Sequence, residues 1–465
     1  MTSASDTPST SPRTAAAGVV LIMLVVLARA FGGPGWLFIG LMAGAALLVW
    51  AGFSTIPARL RNTAFVLFGL TILLLPVARA PLEAIQRGVF ISGQLLALIA
   101  SVLLLAHCAR SSRHIQRVGA ALRGQPLSRR YLSFSITGQL FSGMLGMAGA
   151  HIMLVMAAPA QEKADPTRVE SVVGVTRAFS VAGFWSPVFG NMVILLALYP
   201  TLDWIDIFPV GVVLAQMGVV VGYLLHRREA RRASSGTPGD AEGRHGVADL
   251  LVDGLPLLIA MLAFMGVILT ASHLIGIVVP ATIILLGPLF ALLIHLALAA
   301  PGRRLVQALS NLRDSVLQYP RLASEALLFM AAGCAGSIMA DAFPPSWAQA
   351  IGAVLGGHPF PAIAFLMISI MAASLAGIHA VLSAVFLAST ITPQVLGLPP
   401  LTHMAAILVG WGLAAVVAPF SVLSLTAARY AGTSIYDISF GRNWLFTLMT
   451  TLLACAALSI ITNML

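Results

Sequence analysis

The chain has 465 residues, of which 59% are hydrophobic and 9% charged, and its mean hydropathy is +0.96. Soluble domains carry roughly a quarter charged residues, so most of this chain must face lipid or other lipid-buried helices, and no stretch between apolar runs is long enough to fold as an attached nucleotide-binding, kinase or hydrolase domain. The net charge of +10 comes from arginine, since Lys163 is the only lysine, and the arginines gather in short loops, as membrane topology requires; nucleic acid is excluded as a partner.

In chain order, the Ser/Thr/Pro-rich residues 1–14 lead into an apolar run without a cleavage signal and read as the approach to a start helix. A spanning helix needs about 20 apolar residues. Such runs occur near 15–31, 34–53, 63–78, 89–107, 207–225, 250–271, 276–299, 326–342 and 443–463. Four longer regions, 131–160, 171–200, 359–392 and 402–430, are interrupted by Gly, Pro and polar residues and fit neither one span nor two. Cys108, Cys334 and Cys455 lie apart, with neither a CxxC pair nor ligand spacing, which predicts no disulfide framework and no metal cluster.

Charge parity sorts the long regions. Basic loops around Arg59 and Arg61, around 110–130, around Arg227 to Arg244 and around 303–321 belong on the cytoplasmic side. Between the second and third loops an odd number of crossings is forbidden, so 131–160, with Gly138, Gly143, Gly146 and Gly149, is expected to dip in and return as a re-entrant hairpin. The same argument makes 359–392 a hairpin from the outer side. On this topology 21 of the 26 Lys and Arg are inside, Arg29, Arg79 and Arg87 are outside, and Arg177 and Arg429 fall in broken segments. The expected fold is an all-α polytopic membrane protein with about eleven transmembrane helices and two re-entrant hairpins. The N-terminus is expected in the cytoplasm and the C-terminus outside. Its expected divisions are a first half 1–225, a cytoplasmic linker 226–249 and a second half 250–465.

The halves share short matches. Ala148-Gly149-Ala150-His151 pairs with Ala376-Gly377-Ile378-His379, and Trp185-Ser186-Pro187 with Val417-Ala418-Pro419, in the same order. Paired units of opposite orientation are a common architecture of secondary transporters. Hairpin then broken helix, twice and inverted, resembles the ion transporter superfamily, which includes divalent anion:sodium symporters, citrate and gluconate carriers and the large membrane subunits of tripartite transporters. The resemblance implies a secondary carrier of the bacterial inner membrane. The Ser-Asn-Thr signature of the divalent-anion branch is absent from both expected hairpin tips.

The expected substrate site lies where a proline removes a backbone donor and frees a carbonyl inside a spanning helix. It comprises Ser186, Pro187, Gly190 and Asn191 at one break, Pro419, Ser421, Ser424 and Thr426 at the other, and Gly149 and Gly377 at the hairpins. Each proline has a plainer reading as a packed kink. Arg177, costly in an apolar helix, is either an anion ligand or a partner of Glu170 or Asp165. His151 and His379 are the candidates for coupling, against the plainer reading of hydrogen-bonded structure. Asp253, Glu325 and Asp341 fall near helix ends, where reaching the interface explains them. The loop 110–130, with Ile115, Val118, Ala121 and Leu122 between bases, is expected to lie against anionic lipid, with a solvated connector as its alternative.

The expected function is secondary active transport of a small, carboxylate-like anion by alternating access, with no cofactor beyond Na+ or H+ as coupling ion. The alternatives are a cation/proton antiporter and a non-transport membrane assembly subunit. Expected partners are the anionic solute and membrane lipid, with a homodimer and a periplasmic binding protein left open.

Overall fold

The computed structural model describes residues 11–110, 113–158, 166–233, 247–298 and 303–465. Lys163, Asp165 and most of the linker 226–249 lie outside them. No strand occurs among the described residues, and ten of their helices are long and apolar enough to cross a membrane. The protein is an all-α polytopic membrane protein. The ten do not coincide with the expected eleven. They include 129–157, expected to turn back, and omit 166–198, broken into two short helices, and 250–271, which belongs to the single helix Val247–Ile275.

Packing gathers the chain into two compact units, Met1–Cys108 with Ile268–Phe343 and Ala109–Val267 with Pro344–Leu465. In the first, Ala323–Ala342 packs on Ala58–Leu74 and Phe38–Gly52, and Pro12–Ala30 packs on Phe38–Gly52. Small residues let such helices approach where lipid offers no hydrophobic drive. Gly88 meets the Gly333 backbone, and beside this crossing Ser92 Oγ donates to Gly88 O at 2.8 Å and to Phe329 O at 2.7 Å. Asp341 accepts from Ala80 N at 2.7 Å, while Arg79 Nε donates to its carbonyl at 2.7 Å, so this carboxylate caps a helix start within the protein.

The second unit contains two successive sets of helices. The first set runs Arg113–Arg123, Leu127–Ala157, Pro166–Ala182, Gly190–Leu198 and Trp204–Ala233. The second runs Pro345–Leu355, Pro359–Leu375, Ala380–Thr390, the short Pro393–Leu396, Pro400–Val417, Val422–Ala431 and, after a π-helical segment Asp437–Arg442, Asn443–Met464.

Leu127–Ala157 is not straight. A straight helix of its 31 residues would be about 46 Å long. Instead Gly146 adopts φ 56° and ψ −137°, and Gly149 lies against the Phe141 carbonyl with no room for a side chain. The far end returns to the preceding helix Arg113–Arg123, whose Arg123 Nη1 donates to Met156 O at 2.9 Å. The segment is therefore a helical hairpin turning at Gly146. Its counterpart is Pro359–Leu375 and Ala380–Thr390, joined through Gly377 at φ 89°. That hairpin is also closed at its base, where Gly352 packs on Val395 and Gly397 approaches Gly357.

The helix Arg113–Arg123 departs from its expected role against lipid. Val118, Ala121 and Leu122 are buried, and Val118 and Leu122 join a core with Ile152 and Met156 of the first hairpin.

Several contacts between the sets are reciprocal. The first hairpin packs on Pro166–Ala182, and the long arm of the second on Pro400–Val417. The first hairpin also touches Val422–Ala431, and the short arm of the second touches Gly190–Leu198. Pro166–Ala182 meets Pro400–Val417, and Trp204–Ala233 meets Asn443–Met464.

Candidate functional site

All thirteen residues singled out in the sequence fall in the second unit. At the first break, residues 183–189 separate two half-helices. Ser186 is fully buried, its hydroxyl donates to Gly143 O of the hairpin, and it accepts from Val188 N at 3.2 Å. Pro187 follows it. Gly190 opens the second half-helix, whose cap residue Phe189 supplies no side-chain acceptor for its first-turn amides. Buried Asn191 accepts from Met192 N at 2.8 Å. The break is tied down on its other side by Trp204 Nε1, which donates to Trp185 O at 2.7 Å.

At the second break, Pro419 has no N–H for the carbonyl one turn back, that of Ala415. Ser421 Oγ donates to that oxygen at 2.6 Å and also accepts from Ser424 N at 3.0 Å, capping Val422–Ala431. Thr426 donates to Val422 O at 2.7 Å, an ordinary helical back-bond. Phe420 is the nearest neighbour of Gly377, so this break, like the first, lies beside a hairpin.

The histidines differ in position. His379 sits two residues after the turn glycine, and its Nδ1 accepts from Val381 N at 3.2 Å as a helix cap. His151 lies in the second arm, five residues past Gly146, with Nε2 3.2 Å from the Tyr430 hydroxyl and the two rings edge to face. The four-residue match therefore does not align the turns. Counted from the turn glycines instead, Gly146 precedes Pro187 by 41 residues and Gly377 precedes Pro419 by 42.

Arg177 belongs to another cluster. Its guanidinium donates to Asn443 Oδ1 at 3.0 Å, the Tyr131 hydroxyl at 3.2 Å, Gly222 O at 3.3 Å and Arg442 O at 2.6 Å, and it lies 5.2 Å from the centre of the Phe446 ring. These are neutral acceptors contributed by four other helical segments.

Several polar groups at the breaks and turns have no mark in the pattern of residue types. Ser142 and Ser374 stand about one turn before Gly146 and Gly377, and their hydroxyls, with Ser424 Oγ and Trp185 Nε1, are buried without a hydrogen-bond partner. Knowing the turn glycine would have found the first two. His403, fully buried, takes the Tyr199 hydroxyl on Nδ1 at 2.5 Å and meets Ile391 O with Nε2 at 2.7 Å, so the Nε2–H tautomer satisfies both. No group of three or more His, Cys, Asp or Glu able to hold a metal occurs among the described residues.

Two breaks, each beside a helical hairpin, with half-helix starts and hydroxyls but no carboxylate in 142–151, 183–191, 374–380 or 417–426, make up the candidate site. Such a set offers donors and suits an oxygen-rich, anionic ligand better than a cation. No protein-family model matches the chain, and no curated relative matches it.

Proposed function

We propose that the protein is a secondary active transporter of the bacterial inner membrane that moves a small organic anion by alternating access, coupled to protons or sodium. The observation that carries this reading is the reciprocity of the second unit: each set supplies a hairpin, a broken helix and a closing long helix, and the hairpin and broken-helix contacts between the sets are matched by exchange. Reciprocal packing is what an inverted repeat with re-entrant hairpins produces, and such repeats give two states of similar energy. The spacing from turn glycine to break proline, 41 and 42 residues, supports the same reading. In it the second unit holds the solute, and Ser186, Asn191, Ser421, Ser424 and the first-turn amides after each break bind its carboxylate.

A cation/proton antiporter on this scaffold would need a carboxylate at the breaks, and none is there. Uptake by the purified protein in liposomes tests the proposal. Mono-, di- or tricarboxylate entry driven by an imposed proton or sodium gradient is expected. Its absence across all three classes, with insertion verified, would reject the reading.

A further inference from the structure

Away from the turns and breaks, the second unit carries a cluster of titratable side chains that solute binding leaves unused. Tyr131 at the base of the first hairpin, Glu170 and Arg177 of Pro166–Ala182, His226 and Glu229 of Trp204–Ala233, and Arg442 line a cleft together with Val173. The His226 imidazole is buried, its side chain 7% exposed, and lies face to face on the Tyr131 ring with centroids 4.5 Å apart. Its Nδ1 is 3.7 Å from Glu170 Oε2, and the Glu170 side chain is 36% exposed. A buried proton acceptor thus reaches water through a carboxylate. The gap exceeds a hydrogen bond, yet a proton on the imidazole would be held by the full charge of the carboxylate at that range.

The charged groups facing the pair oppose one another. Arg177, bonded to the same Tyr131, disfavours a second positive charge, whereas Glu229, 3.9 Å from Arg442, favours one; Arg442 is itself 3.7 Å from Asp437. Arg177 is held at once by Tyr131, Gly222, Arg442 and Asn443. A shift of the hairpin base against the start of Asn443–Met464 pulls apart acceptors that hold the guanidinium beside His226. Proton affinity of the pair and conformation of the unit are then linked, and linkage is reciprocal.

We propose that Glu170 and His226 form a proton-binding site, with Arg177 as its positioning residue, so that movement of the first hairpin loads or releases the coupling proton. The proposal deepens the carrier reading and rests on it for the word coupling; the proton site itself has its own test. Full-length protein with 15N-histidine in lipid nanodiscs is titrated across roughly pH 5–9, the signal of interest being the one lost in His226→Gln. That signal is expected to move with pH, to shift its midpoint by roughly half a pH unit or more in Glu170→Gln, and to keep it in His151→Gln. A signal that does not move, or the same midpoint in Glu170→Gln, overturns the site.

In liposomes, His226→Gln and Glu170→Gln are expected to retain uptake down a solute gradient while losing about tenfold or more of the acceleration from an inward proton gradient, the scale of a 1.4 kcal/mol coupling. Undiminished acceleration in the half-exposed Glu170→Gln variant overturns the coupling. Failure of the wild type to take up any carboxylate would instead fall on the carrier reading, and the titration would still decide the site.

Discussion

Ser421 illustrates how one side chain can offset a backbone defect in a medium that supplies no water. Pro419 leaves the Ala415 carbonyl without its helical donor; the Ser421 hydroxyl fills that role at 2.6 Å and accepts the Ser424 amide as well. Ser421→Ala removes both bonds and is expected to cost about 1–3 kcal/mol. Thr426→Val, which removes only a back-bond within a regular turn, should cost less than about 1 kcal/mol. Thermal unfolding of the two variants in one detergent compares them, and equal midpoints would contradict the assignment. Arg177 is a second case. Its four acceptors surround a planar, five-donor fork that lysine cannot replace, so Arg177→Lys is expected to destabilise by about 2–4 kcal/mol. The sequence marks this arginine, because a charge in an apolar helix needs a reason. Its partners were not legible there: Asn443 is 266 residues away and looks like any polar residue at a helix start.

At the scale of the element, the long apolar regions were legible as anomalies of length and charge parity, but their turning points were not. Four glycines in 131–160 compete for the turn, and only backbone geometry selects Gly146 and assigns Gly149 to the close approach against Phe141. A repeated tetrapeptide therefore misaligned the hairpins by three residues, whereas the prolines marked both breaks correctly because the missing N–H acts wherever the residue stands. The hairpin makes a sharp prediction. A Cβ at position 119 would lie 3.5 Å from that of Met156, within disulfide range, although a straight helix would separate the two by tens of ångströms. Gly119→Cys with Met156→Cys, in a background lacking Cys108, Cys334 and Cys455, is expected to cross-link on mild oxidation and to change mobility after proteolysis between them. No cross-link would mean that Met156 does not return to the helix that precedes the hairpin.

Over the whole molecule, hydropathy determines the class directly, since so apolar a chain can bury its backbone donors and acceptors in lipid only as helices. Division by sequence halves and division by packing are different partitions: each compact unit joins two separate segments, Met1–Cys108 with Ile268–Phe343 and Ala109–Val267 with Pro344–Leu465. Nothing in residue type reports this, because an apolar face reads alike whether it meets lipid or another helix. Orientation is carried by arginine alone, and it can be checked independently of transport. Single cysteines at Thr201, Arg228 and Gln349, all exposed positions, should sort by side under a membrane-impermeant maleimide applied to intact cells. If the basic loops are cytoplasmic and both hairpins turn back, an odd number of crossings separates Arg228 from Thr201 and from Gln349. Thr201→Cys and Gln349→Cys are then expected to react from outside, and Arg228→Cys only after the membrane is opened. The first hairpin passing through instead of returning would invert all three positions together, placing Arg228 outside and Thr201 and Gln349 inside, and would remove the opposed orientation on which two-state exchange between the sets depends.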